Sequence, residues 1–255
     1  MGKSKGKSLC VFSTKGGVGK TTVLLNVAGV FAGMNKKVLI IDFDLTSGAV
    51  GTSLNRSFKK SIYNFVDDYT NNRFKAIDNY ATKYNEYISF LAAPSDPRQG
   101  VKVSSKHIEH IITNALYEYD YILVDLNHNL NEFNITVLDI VDQILLVCCN
   151  DLVNIKNMYN LLKIFEENNL TKYKVLLNNS VYPHKSYFSL FDLRNIMKCN
   201  IDYTLGTNFY IKNYDNYLID GKILTLESNF AKSYPRASLA FTNICVDLMG
   251  VKDEK

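Results

Sequence analysis

The chain has no tryptophan, and the clusters of cysteine and histidine that mark metal modules are missing from it. Its 5 cysteines, Cys10, Cys148, Cys149, Cys199 and Cys245, are odd in number and show no metal-ligand spacing, which excludes a zinc module and fits a reducing cytoplasm. Cys148 and Cys149 are adjacent in an apolar run; on a strand they point to opposite faces and read as buried thiols, not a redox pair. Of the 4 histidines, His107 and His110 share a helix face but lack a third ligand. No apolar stretch is long enough to span a bilayer, and no secretory signal opens the chain. Met1 to Ser8 reads as a short basic tail that fails the myristoylation pattern, because Gly6 stands where Ser or Thr is needed. A net charge of +4 over 255 residues is too small an excess to argue for nucleic acid. Tyrosine (17), asparagine, lysine and isoleucine are plentiful, the signature of an AT-rich genome, so interleaved basic and aromatic residues carry no weight as a base-stacking surface.

What is present is a phosphate cradle. Ser13-Thr14-Lys15-Gly16-Gly17-Val18-Gly19-Lys20-Thr21-Thr22 follows the apolar run Leu9 to Phe12 and precedes a helical pattern from Val23 to Phe31, so its glycines fall at a strand-to-helix turn. Gly16, Gly17 and Gly19 lack a Cβ and can take positive φ, which lets consecutive N–H groups, that of Val18 among them, wrap a phosphate at the helix N-terminus. Lys20 is placed to neutralise the β- and γ-phosphates of ATP, Thr21 to give Mg2+ a hydroxyl ligand, and Thr22 to reach the α-phosphate. The alternative is a glycine-rich turn with no ligand.

The strict P-loop pattern asks for glycine where this chain has Thr14. The form present, Lys-Gly-Gly-x-Gly-Lys-Thr with Lys15 at its head, resembles the deviant Walker A loop of the MinD/ParA ATPases. In that family the extra lysine reaches a partner's phosphates, so the resemblance implies an ATP-dependent homodimer sandwiching nucleotide.

Val38 to Ile41 is a buried strand signal ending in Asp42-Phe43-Asp44, and ligands of open α/β sheets collect at such carboxyl ends. The family carries an Asp-x-Asp at this place; the resemblance makes Asp44 the residue that assists the attacking water and puts Asp42 near the metal. Two turn-forming aspartates are the plain alternative. Ser61 to Tyr69 reads as a helix, Asn71 to Asn85 as polar surface, Tyr87 to Ala92 as the third strand, and Val103 to Tyr119 as a helix after the breaks at Pro94 and Pro97. Tyr121 to Val124 closed by Asp125 is a Walker B pattern, with Asp125 holding a Mg2+-bound water. The chain then continues Leu126-Asn127-His128, where many relatives of the resembled family place a glycine that senses the γ-phosphate; His128 reads either as a contact to nucleotide or partner or, more plainly, as a solvated loop residue.

From Phe90 to Phe165 the text, including FLAAPSDP and YILVDLNHNLNEF, resembles the ATPase domain of the CpaE/TadZ proteins of Flp-type pilus assembly. By analogy Asn150 to Asn154 would face the dimer partner. Lys174 to Asn179 resembles the strand whose terminal asparagine, here Asn178, reads adenine; a turn-forming asparagine is the alternative. CpaE/TadZ proteins usually carry a receiver-like domain ahead of the P-loop, whereas here a short tail precedes it.

The expectation is an α/β fold: one doubly wound, mostly parallel sheet of about seven or eight strands with helices on both faces. Residues 8–250 form the P-loop ATPase domain, between a basic tail (1–7) and a charged tail (251–255). The expected activity is slow ATP hydrolysis in a switch, with Lys15, Lys20 and Asp44 catalytic and Thr21, Asp42 and Asp125 at the metal. The expected setting is cytoplasmic, peripheral to the inner membrane through protein partners of an assembly machine, without direct contact to DNA or lipid. A MinD-like membrane switch, a ParA-like partition ATPase and a nucleotide-binding scaffold without hydrolysis are the rivals.

Overall fold

Strand β1 (Lys7–Phe12) sits inside the sheet because both its faces are apolar, which suits a strand covered by helices on two sides. The computed structural model describes residues 5–183, 187–212 and 214–250. β1 pairs in parallel with β5 (Tyr121–Asp125) on one side and β6 (Gln143–Cys148) on the other. Beyond β5 lie β2 (Val38–Asp42), β4 (Ile88–Leu91) and, antiparallel at the edge, β3 (Thr82–Lys83). Beyond β6 lie β7 (Tyr173–Asn178) and β8 (Tyr203–Leu205), both parallel. The eight-stranded, mostly parallel sheet is the doubly wound architecture that the alternation of strands and helices implies.

Alternation along β1 divides its side chains between two cores. Cys10 and Phe12 enter one, with residues of the helices Ile62–Thr70, Ile108–Glu118, Glu132–Ile140 and Leu152–Glu167. Leu9 and Val11 enter the other, under the helices Lys20–Gly33 and Pro235–Met249. Cys148 and Cys149 fall on opposite sides in the same way, both buried thiols. Each fully buried Phe, Leu or Ile of these layers contributes roughly 1.5–3 kcal/mol, so the strand ends are held rigidly where the chemistry is expected.

Two expectations change. The stretch from Asn71 to Asn85 is not simply surface: Ile77 and Tyr80 are buried, Phe74 and Tyr80 close an aromatic cluster with Phe65 and Tyr69, and the segment ends in β3. The basic tail also stops sooner than residue 7, because Gly6 N–H donates to Leu116 O at 2.8 Å and Lys7 N–H to Asp120 O at 3.0 Å. Residues 1–4, with Lys3, and the charged tail 251–255 lie outside the described residues. Among the described residues no helix is long and apolar enough to cross a membrane.

Candidate functional site

The carboxyl ends of β1, β2, β5 and β7 converge on a cleft of about 490 Å³ lined by the glycines of the loop, Lys20, Thr21, Asp44 and Asn178. Register accounts for the convergence: Asp125 lies opposite Val11 on one side and opposite Asp42 on the other, so both acids arrive level with the start of the loop. The loop wraps as its glycines allow. Gly17 has φ 74° and Gly19 φ 89°, values an L side chain rarely adopts, while Val18 between them is fully buried and pins the turn. The helix Lys20–Gly33 starts directly at Lys20, leaving its first N–H groups free to face an anion.

Lys20 is largely enclosed. Burial pushes its ammonium below the usual lysine range, and the charges of Asp125 and Asp44 partly offset this. Thr21 Oγ1 donates to Asp125 Oδ2 at 2.6 Å, whereas Asp125 Oδ1 is buried with no hydrogen-bond partner. Burial drives the Asp125 carboxyl up to about 6, against the Thr21 hydrogen bond and the Lys20 charge, and Asp44 adds to the rise. An orphaned carboxylate oxygen beside a threonine hydroxyl is a pair of hard oxygen donors of the kind that would suit Mg2+ held together with a nucleotide. Thr21 and Asp125 therefore fit the metal. Among the described residues no set of three His, Cys, Asp or Glu side chains is grouped to hold a metal.

Asp42 does not join that pair. Its Oδ2 accepts from Val50 N–H at 2.9 Å and its Oδ1 from Asp44 N–H at 3.2 Å, so both oxygens brace the loop after β2. Asp42, expected near the metal, stands beside Asp125 on the neighbouring strand with both carboxylate oxygens engaged by backbone N–H groups of its own loop. Burial and the neighbouring Asp125 charge push its carboxyl well above the ordinary range. Asp44 remains at the cleft, with Oδ1 accepting from Ser47 N–H at 3.1 Å.

Asn178 donates from Nδ2 to Val18 O at 3.0 Å, and its Oδ1 accepts from Ser180 N–H and Oγ at 3.1 and 2.6 Å. It ties the end of β7 to the phosphate loop and keeps one N–H for a base; an adenine amino group would have to share the oxygen with Ser180. The same wall carries Val181, Phe209, Ile211 and Tyr214, an apolar flank for a flat ring, and the Tyr214 hydroxyl lies 3.2 Å from Thr22 Oγ1.

Lys15 turns out of the cleft. Its Nζ stands 2.9 Å from Asp151 Oδ1, an ion pair with each side chain 30% exposed. The hydrogen bond raises the lysine and lowers the carboxyl. Thr14, at the position of the missing glycine, uses its hydroxyl: Asn154 Nδ2 donates to Thr14 Oγ1 at 3.4 Å. The segment 150–154 thus braces the head of the loop. Sequence reasoning did not single out Asp151, although its N-cap position was legible before Leu152–Glu167; the ion pair was not.

The family model described as an AAA domain matches residues 6–177. An uncharacterized ATP-binding protein of Methanocaldococcus jannaschii is 31% identical over 149 residues, covering 58% of this chain and 54% of that protein, so the chain spans about half the length of this relative. Among solved structures, a ParA family ATPase from Chlorobium tepidum TLS superposes with a TM-score of 0.78 at 17% identity, over 94% of this chain and 98% of that one. The septum site-determining protein MinD of Pyrococcus horikoshii OT3, complexed with Mg-ADP, superposes with a TM-score of 0.75 at 19% identity, over 98% of this chain and 99% of that one.

Proposed function

Since the chain belongs to the AAA-domain family, we propose that it is an ATP- and Mg2+-dependent switch ATPase that dimerises around nucleotide. One observation carries the reading: the unpartnered Asp125 Oδ1 beside Thr21, at the foot of a loop that also holds Lys20. Thr21 and Asp125 would hold the metal, which would offset the charge of the phosphates when bound. Loop amides from Gly16 to Thr22 hold the phosphates, Lys20 draws charge from the β- and γ-oxygens, and Asp44 orients a water for in-line attack. Lys15, on leaving Asp151, crosses to a partner's phosphates. Leu152 and Val153, 63% and 59% exposed next to Asp151, give a second copy of the chain an apolar surface to cover at that point.

The output is a change of affinity for a protein partner, in the manner of a positioning ATPase of the MinD/ParA type; the solved ParA and MinD structures support this through their fold. The CpaE/TadZ resemblance from Phe90 to Phe165 gives a second reading, in which the partner belongs to a pilus or secretion machine at the membrane.

Calorimetry tests the core of the proposal. Mg-ATP should bind the wild type, and Lys20→Ala should remove most of that affinity; equal affinities would overturn it. Partners retained by the ATP-loaded protein and released with ADP identify the output. Binding of that form to duplex DNA or anionic liposomes at physiological salt would replace the protein-partner reading with a partition or membrane switch.

A further inference from the structure

Past Asp125 the buried Leu126 leads the chain into Asn127, His128 and Asn129. His128 is exposed and lines the cleft together with Lys20, Thr21 and Asp44. Its ring lies over the head of the phosphate loop: a Cβ built on Gly16 would stand 3.6 Å from Nδ1 and 3.7 Å from Cε1.

The residues on either side of His128 are clamped to the core by one side chain. Asn134, fully buried in the helix Glu132–Ile140, donates from Nδ2 to Asn127 Oδ1 at 2.8 Å and to Asn129 O at 2.6 Å. Asn127 Oδ1 also accepts from Asn129 N–H at 3.0 Å. A loop side chain normally spreads over many positions, and ordering its backbone costs conformational entropy. Here that ordering is built into the fold, at the cost of a buried amide whose Oδ1 has no partner.

The two ends of the phosphate loop meet different neighbours. Gly19 lies against Asn178 and Val181, on the side whose apolar wall suits a base, and Gly16 lies against His128. A nucleotide laid from that wall along the loop carries its terminal phosphate toward Gly16. We propose that His128 is a γ-phosphate ligand, donating an imidazole N–H to the terminal phosphate oxygen and so separating ATP from ADP. It supplies with a side chain a contact that Lys20, reaching both β- and γ-oxygens, cannot make selective. This assignment rests on the nucleotide-binding reading above.

Calorimetry with Mg-AMPPNP and Mg-ADP distinguishes the two. His128→Ala should weaken Mg-AMPPNP by about tenfold or more, the worth of a hydrogen bond to a charged group, with Mg-ADP changed by no more than about twofold. His128→Gln, which keeps an N–H donor, should regain most of the loss. Unchanged discrimination between the two nucleotides in His128→Ala, or equal weakening of both, overturns the role of His128 and leaves nucleotide binding standing. A wild type that binds neither nucleotide overturns both.

Discussion

The ammonium of Lys15 lies 2.9 Å from the carboxylate of Asp151, so the lysine that heads the phosphate loop is tied within its own chain to the cap of the helix Leu152–Glu167. If Lys15 serves a partner's phosphates as proposed, it must first give up this ion pair, which would then oppose dimerisation until nucleotide supplies a stronger anion.

Asp151→Asn removes the charge but keeps an oxygen for the Asn154 N–H that Asp151 caps at 3.0 Å. A partly exposed ion pair is worth up to about 1 kcal/mol and a symmetric dimer gives up two, so the substitution should let dimers form with Mg-AMPPNP at up to about thirtyfold lower protein concentration. Lys15→Ala should suppress them. Sedimentation in which Asp151→Asn needs a higher concentration than wild type would mean that Lys15 does its work in place.

Asp44→Asn should leave ADP affinity intact and slow hydrolysis by roughly a hundredfold or more, the usual loss when a positioned base is removed. The amide oxygen can still accept from Ser47 N–H, so the loop stays in place. ATP-loaded dimers should accumulate under steady turnover. Phosphate release at the wild-type rate would move the water-positioning role elsewhere in the cleft.

The architecture was legible because β2, β5 and β7 carry apolar runs that a doubly covered sheet can bury, and their observed ends fall close to the expected ones. The phosphate loop was legible because its glycines and lysine are contiguous. What stayed hidden depends on tertiary register. Asp42 and Asp44 look equivalent in the sequence; only the path of the loop to Val50 turns one into a brace and leaves the other at the cleft. β3 has two residues and no pattern of its own, and exists because β4 offers an edge. Asp151 announces itself as a cap, while its pairing with Lys15 needs β1 and β6 side by side. For His128 the sequence leaves a nucleotide contact and a solvated loop residue side by side, and does not show that Asn134 holds its neighbours.

The buried acids give the empty protein a pH signature. Asp125 is pushed up to about 6 chiefly by burial, against about 3.9 in an unfolded chain. Between roughly pH 4 and 6 the folded state keeps a proton the unfolded state has released, so this group's contribution falls as pH rises through that window. Asp42 acts in the same sense. Asp151, held down by Lys15, acts in the opposite one, so the informative quantity is a difference between variants. Without nucleotide, Asp125→Asn should gain about 1–3 kcal/mol over wild type at pH 7 and much less at pH 4.5 by urea unfolding. Mg-ATP should close the gap at pH 7 by stabilising the wild type only. A gap independent of pH would show that Asp125 is not the strained acid.

Gly17 and Gly19 separate backbone strain from crowding. Both have positive φ, 74° and 89°, so alanine at either position costs about 1–2 kcal/mol in conformation alone. A Cβ on Gly17 meets nothing within 4 Å, whereas one on Gly19 would come within 2.8 Å of Asn178 Nδ2, the atom that donates to Val18 O. Gly19→Ala must therefore also displace the amide that ties β7 to the loop and leave the Val18 carbonyl without that donor in a buried place, a further loss of about 1–3 kcal/mol. Thermal unfolding without nucleotide should rank wild type above Gly17→Ala and Gly17→Ala above Gly19→Ala. Combining Gly19→Ala with Asn178→Ala should cost less than the sum of the two single changes, since each already breaks the same bond. Strict additivity would mean that Asn178 yields to the new methyl without losing Val18, and that the loop is shaped by its glycines alone.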